Sequence, residues 1–410
     1  MAILQKVRQS YRAASAVCLI ASAVAFYSSS QFAAVKLAFN YWNPLAITEY
    51  RLSRLTTDDF IREINAAVDE GDIDEAQDLL AFALDRNHSI PDDLVKKTQE
   101  SYFGTAYRYS TDFANGFISG DINSVPSFAG SVYSDLIGYG DVRDLAVEGQ
   151  KYIADEDYSL IILGLAAYGT ATSVSNYASW LSTMTTGGLA VPAAVATTNL
   201  DTSASVFKSA FKLNKISQPM RKRLGLFAQK LIKLDAIKEE MPRIAKLNKL
   251  PSLSDLKSIT ARLDYKKIAR GDFSDAQKTI TQVSPIDTIE ANKVIRKIVN
   301  TDAMAESKAL FEGTSNIIKS GGLMTAFATV QYADDLNDIS KISKIASKFK
   351  KTTKVVLRML GKRSFQLGKL IYRIVPILFA TLCWFLWAAW LALSMVRGTT
   401  RLFARDAGKA

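Results

Sequence analysis

The side chains in this chain that could do chemistry are few and scattered. The one histidine, His88, follows Asn87 in a turn after an acidic helical stretch, where a solvated imidazole is the expected state. Cys18 and Cys383 lie inside apolar runs near opposite ends and read as small hydrophobes, not as a disulfide or a metal pair. Ser-x-x-Lys occurs at Ser205/Lys208, Ser209/Lys212, Ser254/Lys257 and Ser347/Lys350. Repeated hits in a Ser- and Lys-rich region, with no companion motif, assign no nucleophile. Gly138-Tyr139-Gly140 begins like a phosphate-binding fingerprint, but it continues Asp-Val-Arg and follows no parallel-strand unit. The acidic clusters Asp69, Asp72, Asp74, Glu75, Asp78 and Asp155, Glu156, Asp157 lack the spacing of a Ca²⁺ loop and suit helix caps and solvated turns. The expectation is a protein that is not an enzyme, with no catalytic residue, no metal and no cofactor.

The elements around these residues divide by charge. Tyr158 to Leu200 is a stretch of 43 residues without a charged side chain. Before it, residues 36–157 hold 10 Lys+Arg against 23 Asp+Glu, a net of −13; after it, residues 201–373 hold 34 against 16, a net of +18. The chain's net charge of +11 thus hides two opposed parts, to which residues 1–35 and 374–410 add +3 each, and the position of the basic residues decides what the excess means.

Two further uncharged runs bracket the chain. Residues 13–35 follow a basic tail, 1–12, that carries Lys6, Arg8 and Arg12. At about 1.5 Å per residue they could cross a bilayer core of about 30 Å as a signal anchor. Ala21-Ser22-Ala23 also has the form of a processing site, but the apolar run continues past it through Phe32 and Val35. Residues 374–396 carry Trp384, Trp387 and Trp390 on one helical face and end in a basic tail, 397–410, with Arg397, Arg401, Arg405 and Lys409. This is the strongest transmembrane signal in the sequence.

Within the acidic region, residues 57–87 read as a helical hairpin. Thr57 caps a helix with Asp58 and Asp59 in its first turn, Ile61, Ile64, Ala67 and Val68 recur at helical spacing, and Gly71-Asp72 breaks it. Ala76, Leu79, Leu80, Ala83 and Leu84 mark the second helix, which stops at Asn87. The pair resembles one unit of a tetratricopeptide or Sel1 array, of which the chain holds a single clear copy where arrays need about three. The segment 270–277 repeats the corner at 70–77 in part, as a second helix-turn-helix. A partner protein is expected at the acidic hairpin 57–87. Glycines such as Gly116 would let helices approach closely, and Gly140-Asp141 would cap a helix running to Ile153.

The region 201–373 reads as basic amphipathic helices. Val206, Phe207, Ala210 and Phe211 form an apolar face, with Lys208 and Lys212 off it. The densest basic stretch includes Lys348, Lys350, Lys351, Lys354, Arg358, Lys362 and Arg363, interleaved with aliphatic residues. These seven are the candidate lipid-binding residues, each contributing about 1 kcal/mol beside an anionic headgroup. The absence of stacking aromatics argues against nucleic acid.

Together these features predict an all-α protein with N- and C-terminal transmembrane helices, a central membrane helix in 158–200 and polar helical hairpins, integral to a bacterial inner membrane. A crossing at 158–200 would place the acidic domain 36–157 and the basic region 201–373 on opposite sides; otherwise both termini share one side and the whole middle the other. The expected role is non-enzymatic scaffolding or interaction, with a basic face on anionic lipid. The alternative is a membrane-permeabilising or channel-like protein that inserts 158–200.

Overall fold

In a computed structural model the chain is helical throughout the residues it describes, which are 2–27, 30–40, 42–99, 102–185, 191–247, 287–368 and 370–407. Among these residues no strand forms; a single antiparallel bridge joins Ile232 to Val299. The segment 270–277 and Gly187-Gly188 lie outside the described residues, as do the side chains of residues 175–199. The fold divides into two units, residues 1–54 with 363–410, and residues 55–362.

The first unit is built from the chain's two ends. It contains α1 (Ala2–Tyr27), α2 (Ser30–Phe39), α3 (Pro44–Leu52) and, from the far end of the chain, the long α19 (Leu370–Ala407). The uncharged run 13–35, expected as one span, is shared between two helices, α1 ending at Tyr27 and α2 beginning at Ser30. Ala34 and Leu37 pack with Ile47, Tyr50, Leu370 and Ile374, while Phe26 stacks on Trp384 at 4.8 Å between ring centroids. Rising numbers in α1–α2 meet falling numbers in α19, so the two run antiparallel. Thr48 Oγ1 donates to Ser364 O at 2.7 Å and Arg51 to the carbonyls of Gln366 and Leu367, which ties the two strands of chain together at one end. Within α19, Leu370–Leu393 is the one helix among the described residues long and apolar enough to cross a membrane. Its tryptophans divide: Trp384 faces α1, whereas Trp387 and Trp390 are exposed together with Phe379, Leu382 and Leu386.

The second unit opens with the acidic hairpin, α4 (Thr57–Asp69) and α5 (Ile73–Asp85). Thr56, one residue earlier than expected, caps α4 in a capping box with Asp59, and Asp72 caps α5. Asn87 takes a left-handed φ of 61° after α5, as a helix-ending asparagine can. There follow α6 (Asp92–Lys97), α7 (Tyr102–Ser119), α8 (Val125–Leu136) and α9 (Tyr139–Ile153). Helices α7 and α8 touch backbone to backbone: a Cβ at Gly116 would lie 1.8 Å from Ser127 O, and one at Gly130 2.1 Å from Phe113 O. The expected close approach at Gly116 is therefore present, with Gly130 as its counterpart.

The uncharged run forms a helical hairpin, α10 (Leu160–Thr185) and α11 (Val191–Lys212). The chain continues as α12 (Gln218–Leu231), α13 (Leu234–Leu247), α14 (Thr288–Ile298), α15 (Thr301–Gly321), α16 (Leu323–Tyr332), α17 (Leu336–Phe349) and the short α18 (Thr353–Leu360); α12, α14, α15 and α16 pack on the hairpin, α13 on α9 and α14, α17 on α15, and α18 on α16 and α5. The start of α10 is core: Leu163, Leu165, Ala166, Ala167 and Tyr168 are buried, and Tyr168, Phe207 and Phe227 close on Phe311 with centroids 4.8–5.7 Å away. Burying each of these large side chains contributes about 1.5–3 kcal/mol. A helix that is apolar all round is buried by its neighbours as readily as by lipid, and here the neighbours are α8, α9, α11, α12 and α14.

This arrangement corrects one expectation. The acidic and basic regions do not stand on opposite sides of a barrier, because carboxylates of 36–157 pair directly with cations of 201–373 inside the second unit. Their opposite signs are internal complementarity, since each region supplies the counter-charges of the other.

Candidate functional site

The most unusual chemistry lies where α8, α9 and α10 meet α11. Asp135 ends α8, Gly138 turns the chain with a left-handed φ of 79°, and Asp141 and Asp144 follow on the first two turns of α9. This tight corner aims all three carboxylates at one point. The point is occupied by Lys208 Nζ, 2.7 Å from Asp135 Oδ1, 2.5 Å from Asp141 Oδ1 and 3.0 Å from Asp144 Oδ2. The ammonium donates hydrogen bonds to Asp135 and Asp141 and forms an ion pair with Asp144.

The surroundings complete the set. Lys212, one turn beyond Lys208, lies 2.8 Å from Asp144 Oδ2, and Arg143 holds Asp144 Oδ1 at 3.0 Å while donating to Ile118 O at the end of α7. Asp201, two turns before Lys208, meets hydroxyls instead of cations: Thr172 Oγ1 is 2.7 Å from its Oδ1 and Ser173 Oγ 3.1 Å from its Oδ2. Helix α10 approaches closely enough that a Cβ at Gly169 would sit 2.0 Å from Asp141 Oδ2. The side chains of Lys208, Asp135 and Asp141 are 1%, 0% and 2% exposed, so the cluster is sealed from water.

Burial sets the protonation of these groups. It pushes Asp141 well above the ordinary carboxylate range, against the pull of Lys208. It pushes Asp201 up to about 8, against the hydrogen bonds of Thr172 and Ser173, with the Asp135 charge adding to the rise. Asp144 goes the other way, because Lys208, Lys212 and Arg143 together outweigh its burial and hold it far below the usual range. Burial pulls Lys208 down, but Asp135, Asp141 and Asp144 outweigh it and raise Lys208 above its ordinary value.

None of these residues was a sequence candidate in this role. Asp141, expected as a cap, turns inward beneath α11, and the cap position of α9 is Gly138. Lys208, expected off the apolar face of a solvated helix, is enclosed. The available signal was the small-residue environment on α11: Ser203, Ala204, Ser205, Ser209 and Ala210 surround the helix and leave room for neighbours on every side.

The seven predicted lipid-binding residues divide. Lys348, Lys350, Lys351 and Arg363 are exposed. Lys354 instead pairs with Asp78, Lys362 lies 2.5 Å from Asp334, and Arg358 reaches Glu70 at 3.0 Å, Glu75 at 3.6 Å and Glu63 at 3.7 Å. One face of the acidic hairpin 57–87 is thus covered by α18 of the same chain. Burial pulls Lys354 down, but Asp78, Glu75 and Asp72 raise it above its ordinary value. Glu75 is raised by burial despite Lys354 and Arg358. His88, expected to be solvated, is half-buried, with Nδ1 3.0 Å from Thr57 Oγ1 and its ring 4.6 Å from that of Phe60. It closes the hairpin.

Among the described residues no group of three or more His, Cys, Asp or Glu side chains is arranged to hold a metal ion. Between Asp135, Asp141 and Asp144 the lysine ammonium takes the position a cation would need. Compared with protein-family models, with curated proteins and with solved structures, the chain matches none.

Proposed function

We propose that this is a non-enzymatic integral membrane protein in which α1–α2 and α19 form a two-helix anchor for a folded helical unit that acts as a scaffold or interaction module. The observation that carries this reading is the antiparallel pairing of the chain's two apolar ends, with large apolar side chains exposed along α19 and along α1 at Val17, Ile20 and Val24. In water such a surface would be a liability; in lipid it is the expected exterior. Both connections to the helical unit leave from the same end of the pair, so two crossings put both termini on one side and residues 55–362 on the other. The basic tails, with Arg12 and Arg397 nearest the apolar runs, suit an inner membrane of the bacterial kind. On this reading the exposed Lys348, Lys350, Lys351 and Arg363 are the residues offered to anionic headgroups, while Lys354, Arg358 and Lys362 serve the fold.

Single cysteines at Asp85 and Lys319, introduced after replacing Cys18 and Cys383 with serine, test the topology. Both are expected to react with a membrane-impermeant maleimide from the same side, and the protein is expected to resist carbonate extraction. Labelling from opposite faces would sink the two-crossing reading. Insertion of the whole 158–200 hairpin is the less favoured alternative, because it would strip Leu163 to Ser173 from their core contacts. It predicts dye leakage from vesicles that carry the full-length protein, whereas the anchor reading predicts that they stay intact.

A further inference from the structure

The cluster's charges do not balance. Four carboxyls, Asp135, Asp141, Asp144 and Asp201, share it with three cations, Arg143, Lys208 and Lys212. Asp135 Oδ2 and Asp141 Oδ2 are buried without a hydrogen-bond partner among the described residues, so the negative excess is not relieved by stray donors. Among the described residues Asp201 has only hydroxyl partners in contact. Thr172 has one hydrogen to give, and its Oγ1 lies 2.9 Å from Gly169 O as well as 2.7 Å from Asp201 Oδ1. Thr172 Oγ1 also lies 3.1 Å from Tyr168 O, so its hydrogen, which it donates to the carboxylate form of Asp201, has backbone carbonyls to turn to when Asp201 is protonated, and the hydroxyl oxygen then accepts the carboxyl hydrogen. Ser173 then supplies the donor to Oδ2. That is the bonding pattern of a carboxylic acid. One proton there leaves three negative groups against three positive ones.

We propose that Asp201 is a proton-binding site, and that a single proton held there latches the α10–α11 hairpin onto α8 and α9, a contact that its loss loosens. The charged groups acting on it are Asp135 from α8, Asp141 from α9 and Lys208 from α11 itself, while α10 contributes the hydroxyls of Thr172 and Ser173. Helices α15 and α16 also pack on α11; the buried face of α15 is Leu310, Phe311, Thr314, Ser315, Ile317 and Ile318, and α16 carries no charged residue. Loss of the proton leaves a buried carboxylate with no cation of its own, a state relieved by letting water reach the hairpin's base.

The test uses full-length protein in nanodiscs, with infrared difference spectra and hydrogen exchange recorded from about pH 6.5 to about pH 9.5. A protonated-carboxyl band is expected near neutrality, lost on alkalinisation and missing from Asp201→Asn. After correction for intrinsic rates, exchange in residues 160–173 and 201–212 is expected to rise several-fold over the same interval in the native chain and to stay flat in the variant. A titrating band that survives Asp201→Asn, or that Asp141→Asn removes in its place, overturns the assignment. Should Asp201→Asn fail to fold, exchange on the native chain decides, and equal protection at both ends of the range overturns the latch.

Discussion

Two sets of ion pairs join the acidic and basic regions of the helical unit, and they differ in depth. In the cluster under α11, Lys208 is 1% exposed and its partners Asp135 and Asp141 are 0% and 2% exposed. On α18, Arg358 is 19% exposed and its partner Glu70 58%, while Asp78, opposite Lys354, is 51% exposed. The chemistry is the same in both, ammonium or guanidinium against carboxylate. The setting makes them different devices: an exposed pair gains about 0–1 kcal/mol, whereas removing one member of a sealed pair strands a charge that water cannot reach. The buried set therefore fixes how four helices meet, and the exposed set only fastens one short helix to a hairpin.

The sharpest way to break this contrast is Lys208→Met. It leaves Asp135, Asp141 and Asp144 facing one another in a closed space, and the expected loss is about 3–5 kcal/mol, read as a lowered denaturant midpoint or loss of cooperative unfolding. Adding Asp135→Asn and Asp141→Asn to the same chain removes the stranded charges and is expected to recover part of that loss. A change below about 1 kcal/mol for Lys208→Met would mean that water reaches the cluster after all.

A smaller and more selective effect comes from pH, because two carboxyls in the same cluster are shifted in opposite directions. Asp144, held far down, contributes stability that is present above its unfolded value of about 4 and lost as pH falls through its folded value. Asp201, held up at about 8, contributes stability that is fully present below about 4 and is lost as pH rises through the folded value. The unit is thus expected to be most stable on the acid side of neutrality. Asp201→Asn keeps the shape and removes the titration, so denaturant midpoints measured from about pH 6 to about pH 9 should decline in the native chain and level out in the variant.

Sterics sharpen the same boundary. Gly169→Ala would place a methyl 2.0 Å from Asp141 Oδ2, and the expected cost is about 1–3 kcal/mol as α10 is pushed off the cluster. Gly225→Ala on α12 is the control, since its nearest neighbour would be Ile161 at 4.0 Å. There helix propensity dominates, and the change is expected to be neutral or stabilising by up to about 1 kcal/mol.

The contrast in depth also explains what could be read from sequence. The acidic hairpin was legible because its signals are local: Gly71-Asp72 to break, Asn87 to stop, and apolar residues at helical spacing between them. Its first cap was misplaced by one residue because Thr56 and Thr57 both qualify, and only Thr56 is placed to exchange bonds with Asp59. The apolar helix near the C-terminus was legible for the same local reason. The cluster was not, because Asp141 in the first turn of a helix looks like a cap, and Lys208 beside Val206 and Phe207 looks like the wet side of an amphipathic helix. Whether a polar face meets water or carboxylates 67 and 73 residues away is decided by tertiary packing, not by period.

The least disruptive change probes the exposed set. Arg358 touches three carboxylates, so Arg358→Ala removes more contacts than any other single change on α18. Even so, Glu70 is 58% exposed and Glu63 and Glu75 are 25% and 20% exposed, against 0–8% for the carboxylates around Lys208, and the expected loss is about 1 kcal/mol at physiological salt and smaller near 1 M, where the screening length is about 3 Å. The loss from Lys208→Met, inside the sealed cluster, is expected to be nearly the same at both salt concentrations. Denaturant midpoints of the two variants at low and high salt give the comparison directly. If Arg358→Ala costs more than about 2 kcal/mol and does so regardless of salt, then α18 is held by the same kind of buried latch as α11, and depth does not separate the two sets.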